Sequence, residues 1–181
     1  MNRRLWLAAA AAVAAPLTLQ GCASAQLADY ESETPALDLR EYFNGTLDAW
    51  GIFQDRSGKV VRRFSVVMVC QWQGDLGTLD ERFAYSDGSS EQRIWHLQRH
   101  AGGHYTGTAA DVSGTAKGQT RGNAFQWQYT LRLPVNGTTY EVQLDDWMYL
   151  IDQRVLLNRA RMSKLGVHLG DLTLSFSKRA P

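Results

Sequence analysis

From Thr46 onward, apolar residues recur at every second position, and clusters of Gly, Asp, Asn and Ser interrupt them at fairly even intervals. A period of two is what half-buried antiparallel strands require. In Lys59 to Gln73, Val60, Phe64, Val66, Met68, Cys70 and Trp72 share one face, while Arg63, Ser65, Gln71 and Gln73 share the other; Arg62 interrupts the apolar face. Thr46 to Gln54 supplies a hairpin partner through the turn Asp55-Arg56-Ser57-Gly58. The same pattern predicts strands over Leu79 to Ser86, Glu91 to His100, Tyr105 to Lys117, Asn123 to Leu133, Thr138 to Leu150, Arg154 to Lys164 and Leu172 to Lys178. Turn signals such as Asp87-Gly88, Asn136-Gly137 and Asp152-Gln153 fall between them. A sheet of about nine strands curls, and closing it removes its exposed edges. The predicted fold is therefore an all-β, antiparallel up-and-down barrel, with a two-sheet sandwich as the alternative. Ahead of it, Leu37 to Phe43 suits a short helical turn with Asp38 near its start, and no helical period is long enough for an α/β fold.

The first 21 residues follow another pattern: Arg3 and Arg4, then an alanine-rich apolar stretch from Leu5 to Leu19, then small residues. That is a secretory signal, too short to cross a bilayer comfortably. The run Leu19-Gln20-Gly21-Cys22 resembles the lipobox of bacterial lipoproteins, which implies that the Cys22 thiol is acylated and becomes the mature N-terminus. Ala23, where retained lipoproteins carry Asp, resembles the pattern of those sent to the outer membrane, so the expected location is the periplasmic face of that membrane. Residues 22–36 are small and polar and read as a flexible tether, and residues 37–181 as one barrel domain. Loss of Arg3 and Arg4 with the signal leaves 17 basic against 18 acidic residues. A near-neutral domain has no field to gather polyanions, which excludes nucleic acid as a partner. Cys70 lies in an apolar strand and is expected to be buried as a small hydrophobe.

With the strands laid out, several motifs stand in register. They are Tyr42-Phe43-Asn44-Gly45 with Ala49-Trp50-Gly51, Leu79-Asp80-Glu81 with Arg93-Ile94-Trp95, and Asp111 through Gly118. Gly122-Asn123-Ala124, Asp145-Asp146-Trp147-Met148, and Asn158-Arg159-Ala160 leading to Ser163-Lys164-Leu165-Gly166 complete the set. Together they resemble a bacterial lipoprotein family catalogued as domain of unknown function 3833. The resemblance implies an envelope lipoprotein and brings no activity with it. A looser likeness is to lipocalins, in architecture only, because Ala49-Trp50-Gly51 places its glycine after the tryptophan and misses their Gly-x-Trp.

Candidate site residues are charged groups that alternation sets among apolar ones. If Asp152-Gln153 forms a two-residue turn, Asp146 lies opposite Arg159 on a face with Val142, Leu144, Met148, Leu150, Val155 and Leu157. Such a pair is either a structural ion pair that fixes register or a polar handle inside a cavity. Under the first reading, Asp146→Ala is expected to cost about 3 to 5 kcal/mol by orphaning a buried Arg159. Glu81 shares a face with Leu79, Phe83 and Tyr85, and Arg93 alternates with Trp95 and Leu97, so Glu81, Arg93, Asp146 and Arg159 are expected to form one interior network. Trp50, Trp72, Trp95 and Trp147 are expected to line it, and Asp111, Asn123 and Asn158 are further polar candidates. Gly114, Gly118 and Gly122 leave a bare strip that reads as a bend in the wall or as room for a ligand chain.

No motif names a reaction. His100 and His104 approach metal-ligand spacing without a third ligand, and Asp145 and Asp146 are neighbours on a strand that point to opposite faces. No catalytic residue, metal or cofactor is assigned. The sequence supports a lipid-anchored barrel that binds a lipidic or amphipathic small molecule. Its rivals are an assembly lipoprotein with a filled barrel and an envelope-protein partner, and an envelope enzyme acting through Glu81 and Asp111.

Overall fold

A computed structural model describes residues 24–180. Ten antiparallel strands close into an up-and-down barrel: β1 (Gly45–Asp55), β2 (Val60–Gln73), β3 (Leu76–Tyr85), β4 (Ser90–Arg99), β5 (His104–Thr108), β6 (Val112–Arg121), β7 (Ala124–Val135), β8 (Thr138–Leu150), β9 (Val155–Lys164) and β10 (Val167–Lys178). Each strand pairs with its sequence neighbours, and β10 returns to β1 over Leu47–Asp55, so among the described strands none is left as an open edge. The expected barrel is the fold, with ten strands where the pattern indicated about nine.

The extra strand comes from Tyr105 to Lys117, which the alternation reads as one segment. The chain leaves the ladder at Thr108 and re-enters it at Val112, and a bulge between Ser113 and Lys117, with Gly114 at φ +70°, absorbs the excess length. β5 is consequently short and meets β4 only through His96–Arg99. The upper half of β4 faces the Ala109–Asp111 connection, which is how Asp111 comes beside Arg93.

One end of the barrel is plugged. Asp38 caps the one-turn helix α1 (Leu39–Tyr42) by accepting a 2.8 Å bond from the Arg40 amide, and it also holds Arg99 at 3.0 Å. This plants Leu37, Leu39, Tyr42 and Phe43 in the core, and the Trp72 indole donates to the Phe43 carbonyl at 2.8 Å. Among the described residues, the opposite end carries only hairpin turns. Residues 24–36, compositionally a tether, lie on the outer wall: Tyr30 packs its ring 5.3 Å from Tyr149 and 6.0 Å from Trp147, and the Leu37 amide donates to the Gly122 carbonyl at 2.8 Å.

Of the expected glycine strip, only Gly118 lies against the interior rings: Gly114 has open space where a Cβ would stand, and Gly122 lies against the Tyr30 carbonyl on the outer wall. Gly107 and Gly118 face inward, and their missing side chains are replaced by the rings of Trp127 and Phe125, which lie where a Cβ would stand. At Gly107 and Gly118 the space that would suit a ligand chain is filled by Trp127, Phe125 and Leu97.

Candidate functional site

Alternation puts one face of every strand into the barrel, and at mid-height that face is not wholly apolar. Glu81 on β3 pairs directly with Arg93 on β4, so both side chains point inward, with Arg93 Nη1 3.7 Å from Glu81 Oε2. Across the break in the wall, Asp111 takes the same guanidinium through two contacts, Nη2 at 2.7 Å and Nε at 2.8 Å from Oδ2. The planar fork of arginine is thereby committed mainly to Asp111. From β8, Asp146 enters at 7% exposure and accepts a hydrogen bond from the Asn158 side chain of β9. Tyr129 of β7 completes the group.

Glu81, Arg93, Tyr129, Asp146 and Asn158 border a cavity of about 100 Å³, with Asp111 behind Arg93 and outside the lining; the remaining wall includes Phe64, Phe83, Trp95, Trp127, Met68 and Met148, with Leu39 and Phe43 beneath. Trp95 and Trp127 meet edge to face at 5.6 Å, and Trp95 also contacts Tyr129 at 5.3 Å. At the open rim Arg62 stacks 3.5 Å over Tyr85 and reaches Asp87 and Ser89.

Removal from water sets the electrostatics. Burial, reinforced by Asp111 and Asp146 and opposed by Arg93, pushes the Glu81 carboxyl up to about 7. Asp146 rises to about 7 because burial outweighs the stabilising Asn158 hydrogen bond, with Asp145 adding repulsion. Burial also works against the Arg93 charge, but Glu81 and Asp111 more than offset it and hold the guanidinium protonated. The Tyr129 hydroxyl is raised by burial and by Asp146.

A family model described as "Protein of unknown function (DUF3833)" matches residues 16–178. The chain belongs to the DUF3833 family. No curated protein is similar enough in sequence to match it. In structure this DUF3833 barrel is similar to the S-type phycobiliprotein lyase CPES of Guillardia theta, at 4% identity and a TM-score of 0.57, with 80% of this chain and 95% of that one covered. It is also similar to EF1p2_mFAP2b, solved bound to DFHBI, at 10% identity and a TM-score of 0.44, covering 78% of this chain and 100% of that one. The first likeness shows the lipocalin-like fold alone.

Within this DUF3833 barrel, the expected polar residues divide according to register. Glu81, Arg93, Asp146 and Asn158 converge on the cavity, as does Trp95, and Asp111 joins them only through Arg93, from outside the lining. Arg159 does not. The β8–β9 hairpin closes where the Ile151 amide donates to the Val155 carbonyl at 2.9 Å, around a three-residue turn, Asp152 to Arg154, in which Asp152 Oδ1 accepts from the Arg154 and Val155 amides at 2.7 Å each. Asp146 therefore faces Ala160, Trp147 faces Arg159, and Leu157 points outward while Leu156 is buried. A one-residue difference in register turns every side chain of β9 over, replacing Arg159 with Asn158 as the partner of Asp146.

Trp50, 55% exposed between Ser65 and Ser175, and Trp147, which stacks on Tyr149, belong to the outer wall. Trp72 packs the plugged end. Asn123 is also remote from the cavity, at the β6–β7 turn, where its side chain donates to the Leu150 carbonyl at 3.2 Å. Trp127 and Tyr129 were not singled out by sequence, although Phe125, Trp127 and Tyr129 alternate on one face. Cys70 is buried and its thiol is pushed up to about 12, chiefly by burial. His100 and His104 bond to Thr106 and Gln119. Cys22 and the signal-like segment lie outside the described residues.

Proposed function

We propose that the protein is a lipid-anchored envelope protein whose barrel interior binds a small amphipathic molecule, held at the periplasmic face of the outer membrane through acylated Cys22. The observation that supports binding is an apolar cavity bordered by polar side chains that the protein pairs incompletely. Among the described residues Glu81 meets Arg93 at 3.7 Å, beyond hydrogen-bond length, and accepts no hydrogen bond, Tyr129 makes none, and behind Arg93, outside the cavity lining, Asp111 Oδ1 is buried without a donor. Each buried polar group left unpaired costs about 1 to 3 kcal/mol, so a barrel selected only for solidity has no use for them. The anchor rests on the lipobox-like run ending at Cys22 and on the family resemblance.

Cavity size restricts the guest. At about 100 Å³ the space is below the roughly 300 Å³ at which drug-sized pockets begin. It accepts a head group or a slender alkyl segment, and a larger guest requires displacement of lining side chains, among which Met68 and Met148 are the most adaptable.

Native mass spectrometry of the full-length protein, extracted from its own membranes, tests both halves. The expected spectrum carries an acyl adduct that disappears in Cys22→Ser and a separate, dissociable small molecule that persists in that variant. Recovery of the unmodified polypeptide alone counts against anchor and binding together.

A further inference from the structure

The interior contains an excess of acceptors. Two carboxylates, Glu81 and Asp146, line the cavity, a third, Asp111, grips the Arg93 guanidinium from outside the lining, and Arg93 is the sole Lys or Arg side chain in the cavity wall among the described residues. That guanidinium is already gripped at 2.7 and 2.8 Å by one oxygen of Asp111, whose other oxygen is buried and unpartnered. Asp146, more than nine-tenths buried in the cavity wall, receives one hydrogen bond, from Asn158 to Oδ1, so its second oxygen has no donor among the described residues. Arg62 is a cation at the rim: Tyr85 lies under its guanidinium and Asp87 and Ser89 take its Nη2, while its Nε is buried without an acceptor among the described residues.

From this geometry we infer that the guest is a cationic amphiphile, with a protonated amine seated between Asp146 and Glu81 and an apolar portion against Trp95, Trp127 and Met148. The inference rests on the binding function proposed above and specifies its chemistry. A carboxylate-headed guest such as a fatty acid would meet like charges in a low-dielectric site where its one cation is taken. An ammonium supplies both the missing charge and N–H donors to the open oxygens.

Acid–base behaviour follows from the same groups. Around Glu81 stand Arg93 and Glu91 from β4, Asp111 from the β5–β6 connection, Tyr129 from β7 and Asp146 from β8; around Asp146 stand Asn158, Asp145, Arg93 and Tyr129. Two carboxyls at about 7 are mostly ionised at pH 8 and mostly protonated at pH 6. A permanently charged guest therefore binds more weakly as pH falls through 7, by up to about tenfold per carboxyl over that interval.

The test uses n-octylamine, n-octanol and n-octanoate with the full chain carrying Cys22→Ser, followed by calorimetry and by tryptophan fluorescence, for which Trp95 and Trp127 are reporters in the wall. At pH 8 the ammonium is expected to bind at least tenfold more tightly than the alcohol. The advantage should shrink at pH 6 and be lost in Asp146→Asn and Glu81→Gln, both of which still bind octanol. Equal affinity for all three, or preference for octanoate, overturns the cationic assignment and leaves the cavity function standing. An amine advantage that survives both substitutions and the pH change also overturns it, because the attraction then lies elsewhere. Failure of all three probes to bind removes the binding function itself, and the inference with it.

Discussion

Substituting Asn for Asp146 should make the protein more stable at pH 8, although the aspartate is buried and hydrogen-bonded. In the folded state its carboxyl is raised from 3.8 to about 7. A folded pKa above the unfolded one means that the native state holds the proton more tightly. The associated stability is complete below the unfolded value and is lost as pH rises from about 4 through 7. At about 1.4 kcal/mol per pKa unit, ionising Asp146 in the native state costs about 4 kcal/mol by pH 8. The amide introduced by Asp146→Asn stays neutral and still offers a carbonyl oxygen to the Asn158 side chain, so the variant escapes that cost. The expected gain is about 2 kcal/mol at pH 5 and about 4 at pH 8, the latter a rise of roughly 10 °C in Tm for a domain of this size. Thermal and urea unfolding of both proteins, each carrying Cys22→Ser, across pH 5 to 8 measures it. A variant less stable than the parent at pH 8, or a difference that does not grow with pH, refutes the reasoning. The sign is opposite to the loss expected when Arg159 is taken as the partner, so the experiment also discriminates between the two registers.

Other substitutions probe neighbouring claims. Arg93→Met removes the one cation from the cluster and should cost about 3 to 5 kcal/mol, with a smaller loss at pH 5.5, where Glu81 is already protonated; urea melts at pH 5.5 and 8 resolve this. Arg159→Ala should change stability by less than about 0.5 kcal/mol, since the residue lies on the outer face opposite Trp147; a loss above about 2 kcal/mol would restore it to the interior. Gly118→Ala drives a Cβ against the Gln126 carbonyl and 2.6 Å from the Trp127 ring, for an expected loss of about 1 to 3 kcal/mol by thermal unfolding.

Alternation along the chain settled most of the architecture without help from contacts. A period of two in β2, β7 and β8 identifies the buried set, and regular turn residues force neighbouring strands to pair, so an antiparallel barrel follows from the order of residues. Glu81 and Arg93 were likewise visible as charges on apolar faces. Tertiary structure decided what depends on loop length. A two-residue turn at Asp152-Gln153 and the three-residue turn, Asp152 to Arg154, that forms fit the composition equally well, and the Asp152 side chain selects the longer one through its bonds to the Arg154 and Val155 amides. That selection exchanges Arg159 for Asn158 inside the barrel and converts an apparent ion pair into a carboxyl whose charge burial opposes. Asp111 shows the same limit: its path into the interior depends on β5 ending at Thr108 and on the bulge in β6, and a wall break of this kind leaves no periodic trace. Sequence determines which side chains share a face because strand geometry is local. Which face looks inward opposite which partner is a property of closure, where a single residue in a turn inverts the answer.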